Sequence, residues 1–185
     1  MRKPIAFIFI FAMIFIVSCN ENANKPVAGL SDSDSLNENS VPDTTIYGKC
    51  IDAAMSSIII ENELGDTLSF MLETSDRSAD VFGGILVGDK MAIIKETVDG
   101  ENFAKIVINT TSLLGKWTNI AKNFDIEDGG VVHSNVQAES KPYTSWKIYN
   151  GCLLLNSDTF KIRLLGPDSL YLENKEGLYE YKRQQ

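Results

Sequence analysis

The chain is poor in the side chains that carry most enzyme chemistry. It has one histidine, His133, and three cysteines, Cys19, Cys50 and Cys152, among 185 residues. A histidine-based triad needs a nucleophile and an orienting group beside the imidazole. Ser134 is the immediate neighbour of His133, and neighbours on a strand point to opposite faces. His133 is therefore expected to be a surface or barrel-rim residue. Zinc and copper sites want clustered Cys and His, and none is present. Asp32, Asp34 and Glu38 lack the glycine and glutamate positions of a calcium loop, so a solvated acidic stretch is expected there. The sequence has no Gly-x-Ser-x-Gly, no phosphate-binding loop and no His-Glu-x-x-His. No catalytic residue, no metal and no enzymatic activity are predicted.

Positive charge is also scarce, with 17 basic against 25 acidic residues. A net acidic surface opposes nucleic acid and anionic membrane surfaces. Long apolar runs are limited to one, Ile5 to Val17. At about 13 residues it is short of the roughly 20 that a spanning helix needs. Arg2 and Lys3 precede it and small Ser18 follows it, the three-part layout of a secretory signal.

The run ends Ile16-Val17-Ser18-Cys19. An apolar residue, then a small residue directly before Cys, resembles a lipobox, at which bacteria acylate the cysteine and cut just before it. The resemblance implies a signal peptide at 1–18, lipidation of Cys19 and no other cofactor. Several acyl chains on one residue give stable attachment where one chain binds only marginally. Loss of Arg2 and Lys3 would leave 15 basic against 25 acidic residues, a balance of −10. The lipid, not charge, is then the expected membrane partner. Asn20 follows the cysteine, and Asn20 to Lys25 holds one acid. An outer-membrane location, on the periplasmic face rather than the cell surface, is expected.

Residues 19–43 are dominated by Asn, Ser, Asp and Glu and contain no aromatics. Such composition buries too little apolar surface to offset ordering entropy, so a flexible tether is predicted. From Thr44 the texture changes to short apolar runs between turns. Thr44–Cys50, Ser56–Glu61, Thr67–Leu72, Ile85–Glu96 and Phe103–Asn109 are expected strands. Ser57-Ile58-Ile59-Ile60 is a β-branched block of the kind that favours a buried strand. Glu73–Phe82 is expected to be irregular, with room for one helical turn. Five short strands with a break after the third predict a small Greek-key barrel over 44–110, and Gly88-Asp89-Lys90-Met91-Ala92-Ile93-Ile94 is similar to the strand entry of OB-like barrels, which implies an OB-like unit. It lacks the basic, aromatic surface that OB folds use for oligonucleotides, and Phe70, Phe82 and Phe103 are expected in the core. Cys50 and Cys152 lie in apolar strand contexts and are expected as two separately buried thiols.

Residues 112–183 read as a second all-β unit. Asn150-Gly151, between Tyr143–Tyr149 and Cys152–Leu155, is a strong hairpin signal. Phe160–Leu165, Ser169–Glu173 and Leu178–Arg183 follow, and about seven strands with tight turns predict an up-and-down antiparallel barrel. Leu114-Gly115-Lys116-Trp117 looks like the Gly-x-Trp opening of lipocalin-like barrels. With Asp128-Gly129-Gly130, Tyr143-Thr144-Ser145-Trp146, Cys152 to Leu155, Ser157 to Ile162, Asp168 to Leu172 and Tyr181-Lys182-Arg183, the order resembles the lipocalin-like domains of Bacteroides-type lipoproteins. That resemblance covers about 70 residues. It implies a barrel of about eight strands, with Trp117 packing across its bottom. The pairing of such a barrel with an OB-like one is also similar to the copper-resistance, envelope-stress lipoproteins of enteric bacteria. Here the order of the units is reversed and the Cys-x-x-Cys of that family is absent.

The sequence therefore predicts a lipid-anchored cell-envelope protein with a binding or scaffolding role, with copper or envelope-stress sensing as an alternative. An envelope protein or a small apolar ligand is the expected further partner. For a ligand inside the second barrel, Trp146, Tyr143 and Tyr171 are the candidate contacts. The Tyr143-x-x-Trp146 spacing puts the two rings on opposite faces of a strand, one in the core and one at the rim. Interior side chains are expected to fill a barrel this short.

Overall fold

The computed structural model describes residues 41–135 and 141–184. The expected signal at 1–18, Cys19 and the tether as far as residue 40 lie outside the described residues. Fourteen strands and one helical turn make up the remainder. The all-β class and the two small barrels expected from the sequence are both present.

The first barrel contains β1 (Ile46–Ala53), β2 (Ser57–Glu61), β3 (Thr67–Met71), β4 (Asp80–Phe82), β5 (Lys90–Val98) and β6 (Glu101–Asn109). The strands run in the order β3-β2-β1-β5-β6-β4, and a parallel pairing of Met71 with Phe103 joins β3 to β6. That pairing closes a five-stranded ring and leaves β4 as an extra strand alongside β6. Two differences from expectation fall here. No helical turn forms between Glu73 and Phe82; Glu73 bridges to Ser78, the Thr74 amide donates to the Arg77 carbonyl, and β4 follows. Strand β5 starts at Lys90 rather than Ile85, because Gly88 and Asp89 form a turn bonded back to Cys50 and Leu86.

Cys50, Ile58, Ile60, Phe70, Met91, Ile93, Ala104 and Val107 fill the first interior. The opposite faces of β5 and β6 are also covered. Ala92 and Ile108 belong to the core of the second barrel, and Ile106 and Phe82 pack against it. Burial on both faces explains why Met91 to Ile94 and Ile106 to Ile108 are continuous apolar runs rather than alternating ones.

A single turn, α1 (Thr110–Leu113), connects the barrels. Asn109 caps it by accepting from the Ser112 amide, the bond a helix N-terminus requires. The second barrel contains β7 (Gly115–Thr118), β8 (Asn123–Glu127), β9 (Val131–Ser134), β10 (Trp146–Tyr149), β11 (Cys152–Leu155), β12 (Asp158–Leu165), β13 (Ser169–Asn174) and β14 (Gly177–Arg183). Within β7–β9 and within β10–β14 each pairs antiparallel with the next, and β14 returns to β7. Between β9 and β10 the ring is joined only by a bridge from Val131 to Ser145. The barrel is thus nearly closed.

Trp117, Phe124, Tyr143, Phe160 and Tyr181 cross the second interior. Phe124 meets Tyr143 and Tyr181 edge to face at 5.5 and 5.1 Å, and Phe160 meets Tyr179 in the same way at 5.9 Å. The end of this barrel nearer the first one is closed by Trp117, whose indole N–H donates to the Leu113 carbonyl. The Arg183 guanidinium lies 4.1 Å from the Trp117 ring. Its three nitrogens donate to the carbonyls of Pro167, Leu114 and Ser112.

Candidate functional site

The described chain has a cleft of about 430 Å³ where the two barrels meet, within the size range of small-ligand sites, which favour such junctions. One wall comes from β1, β2 and β5, with Tyr47, Lys49, Glu61, Lys90 and Met91. The other comes from the β8–β9 turn and β10, with Asp128, Gly129, Gly130, Trp146 and Ile148. Local rules place these residues. Asp128-Gly129-Gly130 turns because both glycines take positive φ, at 83° and 86°. Strand β10 is aimed into the junction by the two-residue turn Asn150-Gly151, both at positive φ. A Cβ on Gly151 would lie 2.8 Å from the end of the Ile106 side chain of the first barrel, and at its positive φ glycine is the favoured residue.

Contacts across the junction hold the walls in place. The Tyr47 hydroxyl donates to the Ile148 carbonyl at 2.6 Å. Burial, then the charge of Asp43, raises the Tyr47 pKa, while that hydrogen bond opposes the rise. Lys90 and Asp128 pair at 2.5 Å across the cleft, and the hydrogen bond from Lys90 lowers the Asp128 pKa. The Trp146 indole N–H donates to the Glu127 carbonyl at 2.7 Å, which fixes the ring at the rim.

The chain entering β1 adds a clasp. Thr44 donates through its amide and hydroxyl to the Asn150 side-chain oxygen at 2.8 and 2.9 Å. The Asn150 side-chain amide donates to the Pro42 carbonyl, and the Tyr149 hydroxyl donates to the Val41 carbonyl. Residues 41–43, drawn from the sequence as the end of the tether, are thus already bound to the second barrel.

The three aromatic candidates are not brought together. Trp146 lines the junction cleft. Tyr143 is buried in the second core, where burial first, and then the charges of Asp158, Tyr179 and Glu176, push its pKa up to about 12. Tyr171 lies between the inward Leu170 and Leu172 on β13 and so points out of the barrel. Tyr143 is in the core and Trp146 at the rim, but Tyr143 lies outside β10, so strand alternation does not set the division. Phe70 and Phe103 are buried as expected, and Phe82 is half-buried at the junction.

Other side chains fall as follows. Cys50 is buried and Cys152 only half-buried, and neither is bridged. The expected burial of Cys152 fails because Leu153 and Leu155 take the inward positions of β11. His133 is exposed on β9, 3.4 Å from Glu127 of the neighbouring strand. Among the described residues no three His, Cys, Asp or Glu side chains gather closely enough to hold a metal ion. No described helix is long and apolar enough to cross a membrane.

Sequence reasoning missed the cleft-lining Tyr47, Lys90 and Asp128, which are separated by 43 and 38 positions and share no local motif. It also missed Arg183 as the partner of Trp117. A lone arginine in the last apolar strand was the available signal. With the geometry in hand, no family model, no curated protein and no solved structure matches this chain.

Proposed function

We propose that this chain is a lipid-anchored envelope lipoprotein, acylated on Cys19, whose two-barrel body has a non-enzymatic binding role exerted through the junction cleft. The observation that carries the binding role is the cleft itself. It has apolar surface from the rings of Tyr47 and Trp146 with charged groups at fixed places, the composition expected of a ligand site. The anchor rests on Ile16-Val17-Ser18-Cys19 and the short apolar run before it. An outer-membrane position facing the periplasm belongs to the same reading. So does kinship of residues 112–183 with lipocalin-like domains, which the up-and-down strand order and the placement of Trp117 support.

Carriage of an apolar ligand inside the second barrel has less support. Such a ligand would have to displace Phe124, Tyr143, Phe160 and Tyr181, which already contact one another. The test is an amide NMR screen of the ¹⁵N-labelled Cys19→Ser chain with neutral saccharides, fatty acids and short blocked peptides. Shifts gathered at Tyr47, Lys90, Trp146 and Ile148 are expected for at least one class. Shifts confined to the barrel interior, or none in any class, would overturn the cleft as the binding surface. Separately, Cys19→Ser should abolish palmitate labelling in a bacterial host, and retained labelling would remove the anchor.

A further inference from the structure

The β10 strand carries an unused stretch of main chain that faces the cleft. Opposite the two-residue turn, Tyr149 pairs with Cys152 and Lys147 with Leu154. In a hairpin of this kind those residues exchange main-chain hydrogen bonds, and the residues between them point their N–H and C=O groups the other way. The observed bonds follow that parity. The Trp146 amide donates across the seam to Gly130, the Ile148 carbonyl accepts from Tyr47, and the Asn150 amide donates to the Thr45 hydroxyl. Two groups on this edge have no hydrogen-bond partner among the described residues, the carbonyl of Trp146 and the amide of Ile148. Both residues line the cleft. Gly130 lies against the Trp146 carbonyl, where an added Cβ would stand only 3.2 Å from the oxygen and crowd that acceptor.

A carbonyl and an amide flanking one residue, here Lys147, form the pattern that a parallel strand offers its partner. One residue of the incoming chain donates to the first group and accepts from the second. We propose that the cleft receives a short extended peptide, or the end of a peptide chain, through this pairing to Trp146 and Ile148. The proposal rests on the cleft being the binding surface. The groups on either side are occupied, by Gly130 at one end and by Tyr47 and Thr45 at the other, so the edge takes one residue and not a whole strand. Main-chain bonds of this kind give affinity, and the pockets beside them select side chains. The rings of Tyr47 and Trp146 make the adjoining wall apolar. Lys49, Lys90 and Lys147 are balanced by Glu61, Glu63 and Asp128, which suits a neutral main chain better than a strongly charged ligand.

The test uses the full Cys19→Ser chain and the blocked tripeptides acetyl-Ala-Leu-Ala-amide and acetyl-Ala-Phe-Ala-amide, each also made with its central nitrogen methylated. The unmethylated peptides are expected to shift the Ile148 and Lys147 amide signals and to slow hydrogen exchange at Ile148. Methylation removes the donor to Trp146 and should weaken binding about tenfold. Equal binding of the methylated and unmethylated peptides overturns the pairing. So does an unmoved Ile148 amide at peptide concentrations of about 5 mM, well above a millimolar Kd. Saccharides or fatty acids that move the cleft signals where peptides do not would remove the peptide and leave the cleft as the binding surface. Silence from every probe would remove both.

Discussion

The first barrel packs its interior with aliphatic side chains such as Ile58, Ile60, Met91, Ile93 and Val107, with Phe70 and the buried Phe103 as large exceptions. The second packs Trp117, Phe124, Tyr143, Phe160 and Tyr181 into contact. Ring size explains the difference. A barrel's diameter grows with strand number, and at eight strands the interior is just wide enough for side chains to fill. Five strands leave room for branched aliphatics, whereas eight call for rings, which bring large apolar area and prefer edge-to-face contacts. The wider barrel thereby acquires buried hydroxyls that the narrower one lacks. Its chemistry is the more sensitive to pH for that reason.

The sharpest way to break this contrast is to remove the largest ring. Trp117→Ala should cost about 3–5 kcal/mol and remove the surface beneath Arg183, as read by urea denaturation. Ile60→Ala in the first barrel should cost about 2–5 kcal/mol, toward the lower end because the narrower interior has less volume to lose. Ala92 and Ile108 belong to the second core, so both variants should shift one common transition. Two separated transitions would show that the barrels fold independently. Arg183→Met retains an apolar stem but leaves the carbonyls of Ser112 and Leu114 without their donor. A loss of about 2–3 kcal/mol is expected, and a neutral outcome would assign closure of the barrel end to Trp117 alone.

The smallest effect at neutral pH comes from the buried tyrosines. The folded state holds the proton of Tyr143 up to about 12, against an ordinary value of 10, and burial also raises the Tyr181 pKa. Between those values the unfolded chain releases a proton that the folded chain keeps, so stability falls as pH rises. Below pH 10 this contribution is fully present. Ultraviolet titration should find Tyr143 and Tyr181 ionising last of the six tyrosines, and Tyr143→Phe should flatten the alkaline fall in stability.

Much of the strand layout could be read from local pattern. The β-branched block at Ile58 to Ile60 became β2, and Asn150-Gly151 became the β10–β11 hairpin. Of the strands that escaped, two are instructive. Asn123–Glu127 alternates cleanly, with Phe124 and Ile126 inward, but its five residues were masked by the polar turn before it. Asp80–Phe82 has three residues and pairs in parallel with a strand more than twenty positions away, so no local signal marks it. The cleft was illegible for a related reason. Tyr47 and Trp146 are 99 positions apart, and what unites them is the burial of the outer faces of β5 and β6, a tertiary fact that leaves only an uninterrupted apolar run in the sequence. Trp146 was visible as a candidate because it is one of the large aromatics in the second unit.

The clasp at Val41 to Thr45 has a mechanical consequence. It binds the second barrel through Tyr149 and Asn150 immediately before β1 enters the first. A pull transmitted along the upstream chain therefore arrives at the seam and is shared between both barrels, instead of peeling β1 from one end. Asn150 acts as the cleat, with its side-chain oxygen holding Thr44 and its side-chain nitrogen holding Pro42. Tension that slipped this cleat would reach Tyr47 next, and Tyr47 holds the carbonyl of Ile148 at the mouth of the cleft. Load on the chain and the shape of the binding surface are mechanically in series.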